Sequence, residues 1–192
     1  MPAALTELDS RLGARIRAER DARDWSLTEL AQRSGVSRAM INRIERGEAS
    51  PTASLLGRLS GAFGLTLSTL LARTENSRSV RLLKASDQLI WTDPATGYIR
   101  RQIAPAPGSG LPIDVVKVDL PAGASVTFPA AAFAFVRQLV WVLEGRLTFA
   151  EDEVAHNLEP GDCLEVARAA DCTFRNYHPA PCAYLVIVLR QS

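Results

Sequence analysis

Two sets of side chains in this 192-residue sequence have types that could do chemistry, and only the first has the spacing for it. The first is Arg38, Ala39, Asn42 and Arg43, within "SGVSRAMINRIERG". A guanidinium fork matches the two acceptors on a guanine edge, a carboxamide matches the donor and acceptor of adenine, and a small methyl meets the thymine methyl, all in the DNA major groove. The second set is sulfur and imidazole: Cys163, Cys172 and Cys182 with His156 and His178. An odd number of cysteines without CxxC spacing points to free thiols rather than a disulfide frame or a zinc knuckle. His156, on an outer hairpin, and His178, just before Pro179, read as surface residues.

Periodicity supplies the elements that must hold the first set. Leu8, Leu12, Ile16 and Arg20 fall along one face of a first helix. Ser26 with Glu29 three residues on makes a capping box for a second helix, Ser37 caps a third, and Gly47 stops it. Gly35 joins the second and third helices, and Ala31 sits at the same close crossing. Val36, Ile41 and Ile44 then turn inward toward Leu27 and Leu30. Arg38, Ala39, Asn42 and Arg43 stay on the outer face near the start of the third helix. A helix, a glycine turn and a basic second helix make a helix-turn-helix, whose second helix enters the major groove. "SPTASLLGRLSGAFG", with Pro51 ahead of it and Gly64 behind, adds a fourth helix, and "TLSTLLA" a short fifth.

Charge follows the same division. Residues 1–78 carry 12 Arg and no Lys against 9 acids, whereas residues 79–192 carry 10 basic residues against 12 acids. The whole chain is nearly neutral at +1, so the basic charge is local to the helical part. After "RTENSRS", Arg73 to Ser79, a polar linker, the period changes. "QLIW", "YIRRQIA", "IDVVKVDL", "RQLVWVL", "RLTFA", "CLEVA", "CTFRNY" and "AYLVIVLR" are short β-rich segments separated by turn signals such as "DPATG", "PAGAS" and "EPGD". About ten short strands without intervening helices make an antiparallel sandwich or barrel. No apolar run approaches the roughly 18 residues of a membrane span. The mixed stretch from Met1 to Ser10 is no secretory leader, and the expectation is a reduced, cytoplasmic protein.

The segment Leu8 to Leu71 resembles the Cro/CI-like helix-turn-helix family, with "SGVSRAMINRIERG" matching its turn, recognition helix and exit. The resemblance implies double-stranded operator DNA as partner. It implies Arg38, Ala39 and Asn42 as base readers and Thr28, Ser37 and Arg43 as phosphate contacts. It also implies a buried pair between Arg20 and Glu45. Leu27 departs from the pattern, since the family often has a Gln there that bonds the DNA backbone.

The segment Val80 to Arg190 resembles the small cupin barrel, through "VWVLEGRLTF", "LEPGDCLEVA" and "CTFRNY". Metal-binding cupins present two His and a Glu from one strand and a third His from a later one. Laid on this chain, the pattern puts Ala132 and Ala134 at the first two positions, Gln138 at the Glu position and Cys172 at the last. Such a set is too poor in donors for a divalent ion, so no metal and no cofactor are expected. A small barrel can hold one small molecule instead. Candidate wall residues are Phe133, Phe135 and Trp141, with Tyr98, Arg137, Gln138, Cys172 and Asn176 as polar anchors. Alternation sets Gln138 and Val140 on one face of their strand and Arg137, Leu139 and Trp141 on the other, which favours Gln138 inside.

The expected architecture is therefore two-domain: an all-α five-helix helix-turn-helix domain (1–72), a linker (73–79), and an all-β antiparallel cupin (jelly-roll) barrel (80–192). The expected function is that of a homodimeric transcription regulator, not an enzyme, whose barrel senses a small-molecule effector, with 73–79 as relay or hinge. A filled barrel acting only as a dimer handle, a redox-sensing Cys172, and a metal-dependent enzyme tethered to DNA are the alternatives.

Overall fold

The computed structural model describes residues 7–72, 82–104, 111–166 and 169–190. Five helices come first: α1 (Glu7–Asp21), α2 (Leu27–Ser34), α3 (Arg38–Glu45), α4 (Ala53–Phe63) and α5 (Leu67–Leu71). Their starts are set by side chains. Ser26, Ser37, Thr52 and Thr66 each accept a hydrogen bond from the backbone N–H three residues on, which satisfies a donor the helix leaves open. At Ser26 the capping box is complete, because Glu29 also accepts from the Ser26 N–H. Gly35 ends α2 at φ 65°, a left-handed conformation that only glycine adopts cheaply.

Leu12, Ile16, Leu30, Val36, Ile41, Ile44, Leu56 and Leu59 form the helical core. Arg20 and Glu45 close it on one side: Nε donates to Oε1 at 2.7 Å and Nη2 to Oε2 at 2.9 Å, a two-pronged pair between α1 and α3. α1 and α3 approach most closely at Gly13, where a Cβ would stand 2.1 Å from the Ile44 carbonyl oxygen.

The remainder is all-β apart from two short 3-10 turns, Ala85–Asp87 and Ala130–Ala132. One antiparallel sheet runs β1 (Ile90–Thr92), β2 (Ile99–Gln102), β3 (Ile113–Leu120), β10 (Cys182–Arg190), β5 (Val136–Glu144), β8 (Cys163–Val166). The other runs β4 (Ser125–Phe128), β9 (Cys172–Arg175), β6 (Leu147–Glu151), β7 (Val154–Leu158). Alternate residues point inward, as in Asp114, Val116, Val118 and Leu120 of β3. Phe174 of the second sheet stacks on Tyr184 of the first with ring centres 5.6 Å apart, so aromatic contact joins the two sheets.

The stretch "FPAAAFAFV" differs from expectation. Phe128 ends β4, Ala130–Ala132 is a 3-10 turn, and β5 begins only at Val136. β4 itself follows "PAGAS" directly and pairs with β9, a strand the sequence reading passed over.

The two halves meet directly. Gly57 and Gly61, one turn apart on α4, let that helix lie against the end of β4 and the following turn. A Cβ on Gly57 would be 2.7 Å from the Phe128 ring, and one on Gly61 2.9 Å from Ala131. Three polar bonds cross the same seam. The Ala53 N–H donates to Asp93 Oδ1 at 3.3 Å, Thr66 Oγ1 to Asp114 Oδ2 at 3.3 Å, and Arg100 Nη2 to Ser68 Oγ at 2.6 Å. The expected linker, residues 73–79, lies outside the described residues.

Candidate nucleic-acid interface and interior cavity

α3 presents Arg38, Ala39 and Arg43 exposed to solvent and Asn42 half-exposed. Ser37 is exposed at its cap, accepting from the Met40 N–H at 3.3 Å, and its hydroxyl proton is free to donate outward. Thr28 is exposed in the first turn of α2, on the neighbouring rim. An α-helix with its side chains is about 10–12 Å across, which the major groove admits.

The arginines divide into tied and untied. Arg15 and Arg23 pair with Glu19, Arg17 with Asp21, Arg20 with Glu45 and Arg46 with Glu48. Arg33 covers the Trp25 ring at 4.4 Å. Arg11, Arg38, Arg43 and Arg58 enter no ion pair among the described residues, and two of these four stand on α3, where an anionic backbone would be met.

The second site is a partly open pocket of about 60 Å³ between the halves. Gly57, Ser60, Thr66 and Leu67 of the helical part close one side of it. Tyr98, Arg100, Phe133 and Gln138 are among the barrel residues that form the rest, with Phe128 at the junction, edge-on to Tyr98, Phe133 and Phe174.

Of the residues expected to face a ligand, Tyr98, Phe133 and Gln138 line this space. Arg137, Cys172 and Asn176 do not. Arg137 lies on the outer face of β5, exposed and paired with Glu165, as alternation against an inward Gln138 requires. Trp141 shares that outer face. Asn176 is 1% exposed and fully occupied in holding backbone. Its amide nitrogen donates to the carbonyls of Leu120, Pro121 and Ala180, and its oxygen accepts from the His178 N–H. Cys172 is buried on β9, its thiol directed to the Ala170 carbonyl. Burial, with the carboxylates of Glu151, Asp152 and Asp171 adding to it, pushes that thiol up to about 12. A thiol so protonated is a poor nucleophile and redox sensor.

Ala132 lies on the 3-10 turn at the cavity wall and Ala134 is exposed beyond it, so the two positions do not share a strand with Gln138. No group of three His, Cys, Asp or Glu suited to a metal ion occurs among the described residues.

Arg100 is what the sequence reading missed. It is a buried guanidinium, 7% exposed, on the inner face of β2. "YIRRQIA" carries the signal: with two adjacent arginines on a strand, alternation must send one inward. The contribution of α4 and α5 to the cavity has no comparable signal.

Residues 16–70 match the helix-turn-helix family HTH_3. Over 66 residues the chain is 35% identical to the HTH-type transcriptional regulator SutR of Escherichia coli, a match that covers 34% of this chain and 37% of that one. The chain thus spans about a third of the length of the curated relatives it matches. A crystal structure of an HTH_3 family transcriptional regulator from Vibrio cholerae superposes with TM-score 0.79 at 21% identity, covering 96% of this chain and 98% of that one. A cupin_2 domain of an XRE family regulator from Enterobacter cloacae is similar over 50% of this chain and 98% of that one, at TM-score 0.45 and 20% identity. Residues 16–70 thus form a helix-turn-helix domain, and the superposition on the Vibrio cholerae regulator shows the same two-part fold, five helices followed by an antiparallel β domain.

Proposed function

We propose that this chain is a cytoplasmic, homodimeric, sequence-specific DNA-binding transcription regulator. In this reading its barrel is not an enzyme but a receptor for a small organic effector, with domains at 1–72 and 80–192. Arg38, Ala39 and Asn42 read base edges, while Thr28, Ser37 and Arg43 position the domain on phosphates. The observation that carries the reading is the cavity wall shared by both halves. A molecule in that space touches Gly57, Ser60, Thr66 and Leu67 of the DNA-binding half as well as the barrel. Occupancy then acts on the helical domain without a messenger segment. The shift follows only from a difference in affinity between the two dispositions of that domain.

The dimer face in this reading is the outer surface of the six-stranded sheet. Ile113, Leu139, Trp141 and Leu189 are all exposed there. Register makes them one patch: Leu189 opposes Ile113, Ile187 opposes Leu139, and Leu185 opposes Trp141. An apolar sheet face of this kind suits a second copy of itself.

Selection of bound sequences from randomised duplex DNA tests the proposal. The expected product is a pair of related half-sites centred about 34 Å apart, one for each recognition helix. Recovery of unrelated sequences would reduce α3 to a general polyanion contact.

A further inference from the structure

Arg100 has too few partners for a buried charge. A guanidinium offers five N–H donors. Here Nη2 reaches Ser68 Oγ at 2.6 Å and the Tyr98 hydroxyl is a second polar neighbour. No carboxylate lies within ion-pair distance among the described residues. Two other buried carboxylates stand on this inner face: Asp93, two positions from Trp91, a register partner of Arg100, and Asp114, four positions along β3 from Val118, its other partner, about 7 and 13 Å of strand away. Asp93 is engaged by the Ala53 and Ala95 N–H groups and the Thr96 hydroxyl. Thr66 holds one Asp114 oxygen, and the other has no partner. A desolvated cation without a counter-charge is costly, and the wall beside it is open cavity.

We infer that the cavity is a binding site for a small monocarboxylate, held bidentately by Arg100 with its short apolar tail against Phe133, Val186 and Val188. This rests on the effector reading given above. Three observations set the class. Charge and fork geometry call for a planar anion. Size is limited: a water needs about 10–15 Å³ of such space, so about four to six non-hydrogen atoms fit. The wall beyond Arg100 is apolar, with Phe133, Val186 and Val188, so a second carboxylate on the tail would be buried without a partner, which disfavours dianions.

The same geometry gives the site a regulatory consequence. Ser68 belongs to α5, and its bond to Arg100 is one of the three polar links across the seam. A carboxylate on Arg100 takes up donors beside the one held by the Ser68 hydroxyl, so occupancy bears directly on a link between barrel and helical domain.

The test is calorimetric titration and thermal melting of the full chain with propionate, propionamide and succinate. Propionate is expected to bind about tenfold or more tightly than either of the others, as a charge-assisted bidentate pair demands. In Arg100→Gln the preference of acid over amide is expected to vanish. Should that variant fail to fold, the wild-type ratio of propionate to propionamide decides alone. Equal binding of acid and amide, or no binding of propionate up to about 10 mM, overturns the assignment. Operator affinity measured alongside separates the two readings. Propionate that binds through Arg100 without changing operator affinity leaves the site standing and removes the effector role. A neutral compound that fills the cavity and changes operator affinity does the reverse.

Discussion

Individual side chains decide whether α3 reads DNA or merely touches it. Arg38→Ala is expected to cost about 1–3 kcal/mol on the preferred sequence and to relax the preference at one base pair. Fluorescence anisotropy on matched and randomised duplexes checks this, and equal loss on both makes Arg38 a phosphate contact. The thiols are a second residue-level test. Cys163 is exposed, whereas burial raises the Cys172 thiol to about 12 and the Cys182 thiol to about 11. A thiol with raised pKa stays protonated below that value, so at pH 8 a thiol reagent should label Cys163 rapidly and the other two only on unfolding. Fast labelling of Cys172 in the folded chain would revive a redox role for it. At this scale the sequence was informative wherever alternation or helical period fixes which way a residue points. Arg38, Ala39, Arg43 and Gln138 are examples. Cys172 and Asn176 show the limit, since both are inward or buried yet engaged with neighbouring backbone rather than with the cavity.

Among the elements, the helices were the most legible, because the starts of α2 and α3 are written in capping serines and the ends of α2 and α4 in a glycine. The strands were legible where turn residues bound them, and β3 falls where "IDVVKVDL" stands. "FPAAAFAFV" misled because alternating Ala and Phe mimic strand periodicity while the chain after Pro129 takes a 3-10 turn. Two element-level predictions follow from packing. Gly13→Ala places a methyl carbon 2.1 Å from the Ile44 carbonyl and should destabilise the α1–α3 contact by about 1–3 kcal/mol in denaturant unfolding. An unchanged midpoint would mean that the helices part freely there. On the sheet, Trp141→Lys sets a charge in the proposed dimer face and should convert the dimer to monomer in light scattering. A dimer that persists moves the interface elsewhere.

For the molecule as a whole, the decisive feature was not legible at all. The seam joins Ala53 to Asp93, Thr66 to Asp114 and Ser68 to Arg100, pairs 40, 48 and 32 residues apart. No local pattern announces such contacts, and Gly57 and Gly61 read in sequence only as small residues on a helix. In the proposed reading the seam couples the barrel to the helix-turn-helix domain, because the pocket lies within it. Gly61→Leu tests this most directly. The added side chain drives α4 from the turn at Ala131 while leaving the inward core of the helix-turn-helix untouched. Operator affinity of this variant, verified as folded and measured against wild type on the selected sequence, should change by a factor of about five or more, the range of ordinary allosteric coupling. Identical affinities, with the helix displaced, would mean that the barrel and the DNA-binding domain do not communicate through their shared wall.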